Sequence, residues 1–526
     1  MAAKTDKVIV TNTTALKTKY GAGYASIDKA VKNLVTADKG RGLTTVVVDI
    51  SDAAGMTKLN GKSVATPGNT QQVKAAVDAI YRALVPDYLV ILGAVDIVPH
   101  QDLRNPAYEA GADDDQFAPG DLPYACDHPY SQNPADFTSP TRVVGRLPDI
   151  TAETNPDYLC GLLNTAANFK SRPATDYFNY LGVSASVWVN STTLSLQSAF
   201  GSAGAIQISP PSGPNWTPAQ FQALSHFFNC HGAPADPHFY GQKGTNYPVS
   251  HDAAIVAQHA VEGTVVAAEC CYGAELYAPS IAGGQAGICN SYLLRKAYGF
   301  FGSSTIAYGP ANGNANADLI CQYFFKNLLT GASIGRAALQ ARHDFIRSAA
   351  ALDAVDLKTL AQFSLMADPS VLPVQSSPVD HTLKTALSSK GVPHEMGDIR
   401  TMRRERLRRY GLAIGSAAAT THRDEKDNIP TKVRKAFKQI LEGVGGTPHA
   451  FHSHTVDTPV QRSSPKSTTK AFAAGFAPTS LRRVYVAYSV LPSAHFSQTK
   501  TATRPLVAVI ARESDEGLVF RTVYSR

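Results

Sequence analysis

The chain has 526 residues, 44% of them hydrophobic and 17% charged, which is the balance of a globular protein rather than of a disordered or fibrous one and leaves room for two or three cores. The formal charge of +7 is uneven, because residues 391–526 hold 22 Lys/Arg against 11 Asp/Glu, a net +11, and the rest carries −4. Residues 1–10 lack the apolar core of a secretory leader and no later run reaches the roughly 18 apolar residues of a membrane span, so the expectation is a cytoplasmic protein without a membrane partner. Seven cysteines, at 126, 160, 230, 270, 271, 289 and 321, are odd in number and have no paired C-x-x-C spacing, which predicts reduced thiols.

In chain order, Val8–Val10, Thr45–Ile50 and Tyr88–Gly93 are short apolar runs, with an amphipathic helix expected over 71–84. Arg142–Pro148 reads as a further strand, and 155–169 as the helix after it, with Asn155 as N-cap and Pro156 in the first turn. Strand-like runs resume at 181–189, 205–208, 226–230, 264–270 and 302–308, and helices are expected at 217–225, 250–260, 287–297 and 317–330. Continuous apolar runs alternating with helices predict an α/β fold with a doubly wound, mostly parallel sheet. The expected organisation is an α/β subdomain over 1–170, a second over 171–375, a linker over 376–398, and a small basic α+β domain over 399–526 containing an antiparallel sheet.

Two strand ends carry reactive groups. Phe227-Phe228-Asn229-Cys230-His231-Gly232 precedes Val265-Val266-Ala267-Ala268-Glu269-Cys270-Cys271-Tyr272-Gly273, and Cys270 follows His231 by 39 positions. One β-loop-α-β crossover between them brings the C-terminal ends of both strands to one edge of the sheet, where open α/β sheets place their sites. A thiol and an imidazole there make a nucleophile and its base, with Gly232 N–H and the nucleophile's own N–H as donors to an oxyanion. Strand alternation sends Cys270 and Cys271 to opposite faces, so one faces His231 and the other is packed.

Several segments together resemble the gingipain-like cysteine peptidases, a family of the caspase-type fold. These are Tyr88–Pro99, Asp121-Leu-Pro-Tyr-Ala-Cys-Asp127, Val144-Gly-Arg-Leu-Pro148, Asn229-Cys-His-Gly232, Ala268-Glu-Cys-Cys-Tyr-Gly273, Gly302–Pro310 and Met366–Pro373, in the family's order. The resemblance implies a caspase-like sheet and a cysteine endopeptidase with protein or peptide substrates and no obligatory cofactor. Its C-x-x-G spacing selects Cys270 as nucleophile, with Gly232 and Cys270 as oxyanion donors; the C-x-G spacing of caspases selects Cys271, the alternative. The family's carboxylate behind the histidine has no counterpart in Asn190–Thr193, which implies a Cys/His dyad, with Asp236 a weak substitute. Asp318, with Tyr308 nearby, is positioned as the S1 acid of relatives that cleave after Arg or Lys, although a first-turn acid stabilised by the helix dipole is an equally good reading.

Asp113-Asp114-Asp115 is the one candidate calcium group, which some relatives have, but consecutive acids cannot all face one ion and a solvated loop is favoured. His449, His452 and His454 lack a fourth ligand, so no metal is expected. Arg400–Arg409 has charge on all sides and suits an acidic partner or, with basic P1 preference, self-cleavage; the lack of interleaved aromatics argues against nucleic acid. Two readings of other classes stay open: an inactive scaffold on the same fold, and a nucleic-acid-associated protein acting through the basic C-terminal region.

Overall fold

The computed structural model describes residues 5–375, 396–457, 481–491, 495–496 and 505–526. Ten strands form the main sheet: β1 (Lys7–Thr11), β2 (Thr45–Asp49), β3 (Tyr88–Leu92), β4 (Val144–Leu147), β5 (Tyr180–Ala185), β6 (Ile206–Ser209), β7 (Ser225–Asn229), β8 (Val265–Ala268), β9 (Gly299–Gly302) and β11 (Ser364–Met366). Their order is β2-β1-β3-β4-β11-β9-β8-β7-β5-β6. Every neighbouring pair is parallel except β9 with β11, so two parallel halves run in opposite directions and meet at that seam. The fold is therefore α/β with a large, mostly parallel sheet.

Helices Thr70–Leu84, Asp157–Asn168, Ala253–His259, Ile288–Leu294 and Asn316–Leu329 lie where the hydrophobic pattern puts them. The helix after β4 starts later than expected: Pro156 is at its N-cap position, and Asn155, one residue before, accepts the Asp157 N–H with its side-chain oxygen at 2.9 Å. Some other expectations differ. The run 181–189 is strand only to Ala185 and then turns into the helix Val189–Phe200. The run 302–308 straddles the end of β9 rather than forming a strand, and 217–225 is a four-residue helix, Pro218–Phe221, held by a Thr217/Gln220 capping box before the chain enters β7.

Both faces of the second half are buried. Val266, Ala268, Cys270, Phe228 and Cys230 point into one core, with Ile288 and Tyr292 opposite. Val265, Ala267, Cys271 and Phe227 point into the other, with Ile320, Phe324 and Phe325 of helix Asn316–Leu329.

Near the C-terminal end, β12 (Thr420–Arg423), β13 (Thr447–Asp457), β14 (Leu481–Val490), β15 (Leu506–Ser514) and β16 (Gly517–Ser525) join a two-residue strand of the α/β body, β10 (Tyr308–Gly309), in a six-stranded sheet ordered β10-β16-β15-β14-β13-β12. Helix Thr431–Gly443 covers one face through Val433, Phe437 and Leu441. The other face packs Val484, Val486, Ile510 and Val523 against Tyr308, Ala354 and Val355 of the body. Residues 376–395 of the expected linker lie outside the described residues. The arginine-rich segment is helical, Met396–Ala417, and is tied to the body by Arg400 to the Gly42 carbonyl at 2.6 Å and Arg404 to the Val85 carbonyl at 2.7 Å.

Candidate active site

β7 and β8 are adjacent and parallel, with Phe228 opposite Ala268, so the residues that follow them emerge side by side at one edge. Alternation then decides which cysteine faces the opening. Cys270 keeps the parity of Val266 and Ala268; its thiol lies in the core with the Phe228 carbonyl 3.9 Å away, and burial pushes its pKa well up. Cys271 keeps the parity of Val265 and Ala267, and lines a cavity of about 340 Å³ together with His231 and Gly232. Gly232 is required by the close approach of the two strand ends, because a Cβ there would stand 1.9 Å from the Cys271 carbonyl oxygen.

His231 is held from several sides. Its Nε2 lies 2.8 Å from Gln242 Oε1, and the Gln242 amide nitrogen donates to Gly244 O and Tyr247 OH, which fixes the amide's orientation. Nε2 therefore carries the proton and Nδ1 is the basic nitrogen. The ring packs on Trp188 at 4.3 Å and Tyr247 at 4.9 Å between centroids. Asp236 serves elsewhere: it binds His238 and the Tyr240 hydroxyl. The group behind the histidine is a neutral amide from the following loop, which sequence reading missed. In this closed arrangement burial lowers the His231 pKa to about 3 and raises that of Cys271 to about 12, so both are neutral.

Arg526, at the end of β16, fills the space beside this pair. Its carbonyl oxygen faces the N–H groups of Gly232 and Cys271 at 3.4 and 3.3 Å, the long end of hydrogen bonding. Its own N–H donates to Ala307 O at 2.9 Å. The guanidinium is buried: Nη2 donates to Asp318 Oδ1 at 2.7 Å and Pro310 O at 3.0 Å, and its carbon lies 4.3 Å from the Trp188 ring centroid. A Cβ on Gly309 would stand 2.1 Å from that guanidinium, so glycine shapes the pocket wall.

Asp318 caps its own helix, accepting from Ala315 N at 3.4 Å, and also accepts from Arg526 Nη2 at 2.7 Å. Glu269, fully buried nearby, has neither carboxyl oxygen in a hydrogen bond. Burial and then the Asp318 charge push the Glu269 pKa well up, which favours its neutral form. Burial raises Asp318 too, against the opposing pull of Arg526. Tyr308 is not part of the pocket wall by its side chain: the hydroxyl donates to Asp113 at 2.9 Å, and the main chain pairs with Ser525. Trp188 is the aromatic wall instead.

The members of the acidic run differ: Asp114 is exposed, Asp115 half-buried and Asp113 buried. Lys358, fully buried, lies 2.6 Å from Asp113 and 3.1 Å from Asp115, and Asp115 also accepts the Ile306 N–H at 2.9 Å. His452 pairs with Glu109 and Asp427, and His449 with the Ala110 carbonyl. Among the described residues no cluster of His, Cys, Asp and Glu is arranged to hold a metal, and no helix is long and apolar enough to cross a membrane. A second groove, about 480 Å³, lies among His259, Glu262 and Arg295, before the start of β8 and away from the cysteines.

Comparison with known proteins adds little. No family model and no curated protein sequence matches the chain. One solved structure, described as "Structure of Protease", aligns with 100% of this chain and 98% of that one at 11% identity and a TM-score of 0.48.

Proposed function

We propose that the chain is a caspase-type cysteine endopeptidase that cleaves after arginine, using Cys271 and His231. The observation that carries this reading is the convergence on one carbonyl oxygen, that of Arg526, of two N–H donors and the Cys271/His231 cavity, with the attached side chain paired to a buried acid. Nδ1 of His231 takes the thiol proton and the Cys271 sulfur attacks the scissile carbonyl carbon. The oxyanion is received by the N–H groups of Gly232 and Cys271. The C–N bond breaks as His231 returns the proton to the leaving amine, and water, deprotonated by the same imidazole, hydrolyses the thioester.

Cys271 replaces Cys270 in this reading because the Cys270 thiol points into the core and Cys271 lines the cavity, and the oxyanion donor moves with it. Asp318 supplies the charge that selects arginine. Self-cleavage within 400–409 would need the helix Met396–Ala417 to unwind, and intact protein after incubation of the Arg526→Ala chain, as intact as its Cys271→Ala combination, would end that part of the proposal.

A P1-scanned peptide library tests the reading, run on the native chain and on Arg526→Ala, because Arg526 fills the pocket. Cleavage after arginine that is lost in Cys271→Ala and His231→Ala and kept in Cys270→Ala supports it. Equal cleavage of basic and neutral P1 peptides would remove the role of Asp318. Absence of cleavage and of thiol labelling at Cys271 would leave a scaffold on the same fold.

A further inference from the structure

We propose that the segment Thr522–Arg526 occupies the peptide-binding cleft as a built-in substrate mimic, so that the site is blocked until this strand is displaced; the proposal rests on the peptidase reading of the same site. The segment is bound as an extended peptide is bound by a sheet edge. β10 pairs antiparallel with it, Tyr308 opposite Ser525 and Gly309 opposite Tyr524, and Ala307 O accepts the Arg526 N–H at 2.9 Å. Main-chain pairing carries no sequence preference, so it suits any substrate; the choice is made at the last residue.

There the fit is specific. The guanidinium reaches Asp318, the Pro310 carbonyl and the Trp188 face through a slot that Gly309 keeps open. Read as a peptide, Arg526 stands at P1, Ser525 at P2 and Tyr524 at P3. Burying an arginine and an aspartate is costly unless each meets the other, and this pair joins residues 208 positions apart.

The tether explains how such a segment holds the cleft. From Gly517 opposite Ser514 to Tyr524 opposite Val507, β16 is fixed along β15, and the Ser525 hydroxyl accepts the Leu506 N–H at 2.9 Å. The last residue is thus presented beside its pocket at an effective concentration of about 1 mM or more. If the detached peptide bound with a Kd near 10 μM, that concentration would suppress the open site about 100-fold. The neutral state of both Cys271 and His231 agrees with a closed, resting site.

The full chain and its Arg526→Ala and Arg526→Lys variants are compared for hydrolysis of an arginyl reporter peptide and for binding of fluorescent Thr-Val-Tyr-Ser-Arg. Expected are about 10- to 100-fold higher kcat/KM and measurable peptide binding in Arg526→Ala, with Arg526→Lys between it and the native chain. Enhanced peptide binding without hydrolysis or Cys271 labelling would keep the block and discard the peptidase. Equal hydrolysis and equal binding in all three would overturn the block and leave the peptidase standing. If Arg526→Ala fails to fold, hydrogen exchange on the native chain decides: saturation with an arginyl peptide aldehyde strips protection from residues 522–526 if they share the cleft, and unchanged protection overturns the proposal.

Discussion

In the first half of the main sheet, Arg146 of β4 is fully buried and gives its fork to both oxygens of Asp121 at 2.9 and 2.6 Å, with two further donations to the carbonyls of Gly93 and Val98. In the second half the buried acids Asp318 and Glu269 sit at the corresponding depth, yet their cation arrives from the far end of the sequence on a separate sheet. The first arrangement is closed by its own neighbours and stabilises the strand ends. The second, in the proposed reading, is a cation receptor filled by a residue able to leave. Buried charge alone does not mark a functional site; what marks it is that the partner comes from outside the element set that builds the pocket.

That contrast can be broken experimentally. His231→Ala is expected to lower kcat of the unblocked chain by about 10²- to 10⁴-fold, the range of a lost general base, without shifting the denaturation midpoint appreciably. Arg146→Ala should do the reverse: it strands Asp121, costs about 3–5 kcal/mol in chemical denaturation, and leaves the ratio of arginine to neutral P1 cleavage unchanged. A changed P1 ratio in Arg146→Ala would mean that the two charge sites are not separate. Asp318→Asn should reduce kcat/KM for arginyl peptides by about 10²-fold, within the range of losing one charge-assisted contact in a dry pocket. Glu269→Gln should cost less than about threefold, because burial favours the neutral carboxyl group and glutamine is a neutral side chain of the same size. Equal losses in these two variants would show Glu269 to be ionised and part of the floor.

Much of this was legible in the sequence, and its gaps have physical causes. The runs at 226–230 and 264–270 announced parallel strands whose ends meet, with His231 and Gly232 directly after the first, and Asp318 was read from the helix start that follows Gly309–Ala317. The choice between Cys270 and Cys271 was not legible by alternation, because β8 is buried on both faces and offers no polar face to fix its parity. Tyr308 was misjudged for a related reason: the apolar run 302–308 looks like one strand, but β9 ends at Gly302, so the main chain of Tyr308, rather than its ring, meets the bound segment. The reversal of direction at β11 is carried by a three-residue strand, too short to leave a pattern. Trp188, Gln242 and Arg526 are brought to the site by tertiary structure, and no local periodicity points to them.

The nucleophile is the most direct point of attack. The Arg526→Ala chain, alone and combined with Cys270→Ala or Cys271→Ala, is treated with an arginyl acyloxymethyl ketone and the adduct is located by peptide mass mapping. The account predicts a single adduct on Cys271, retained in the Cys270→Ala form and absent from the Cys271→Ala form. An adduct on Cys270, or one that persists when Cys271 is removed, would contradict it.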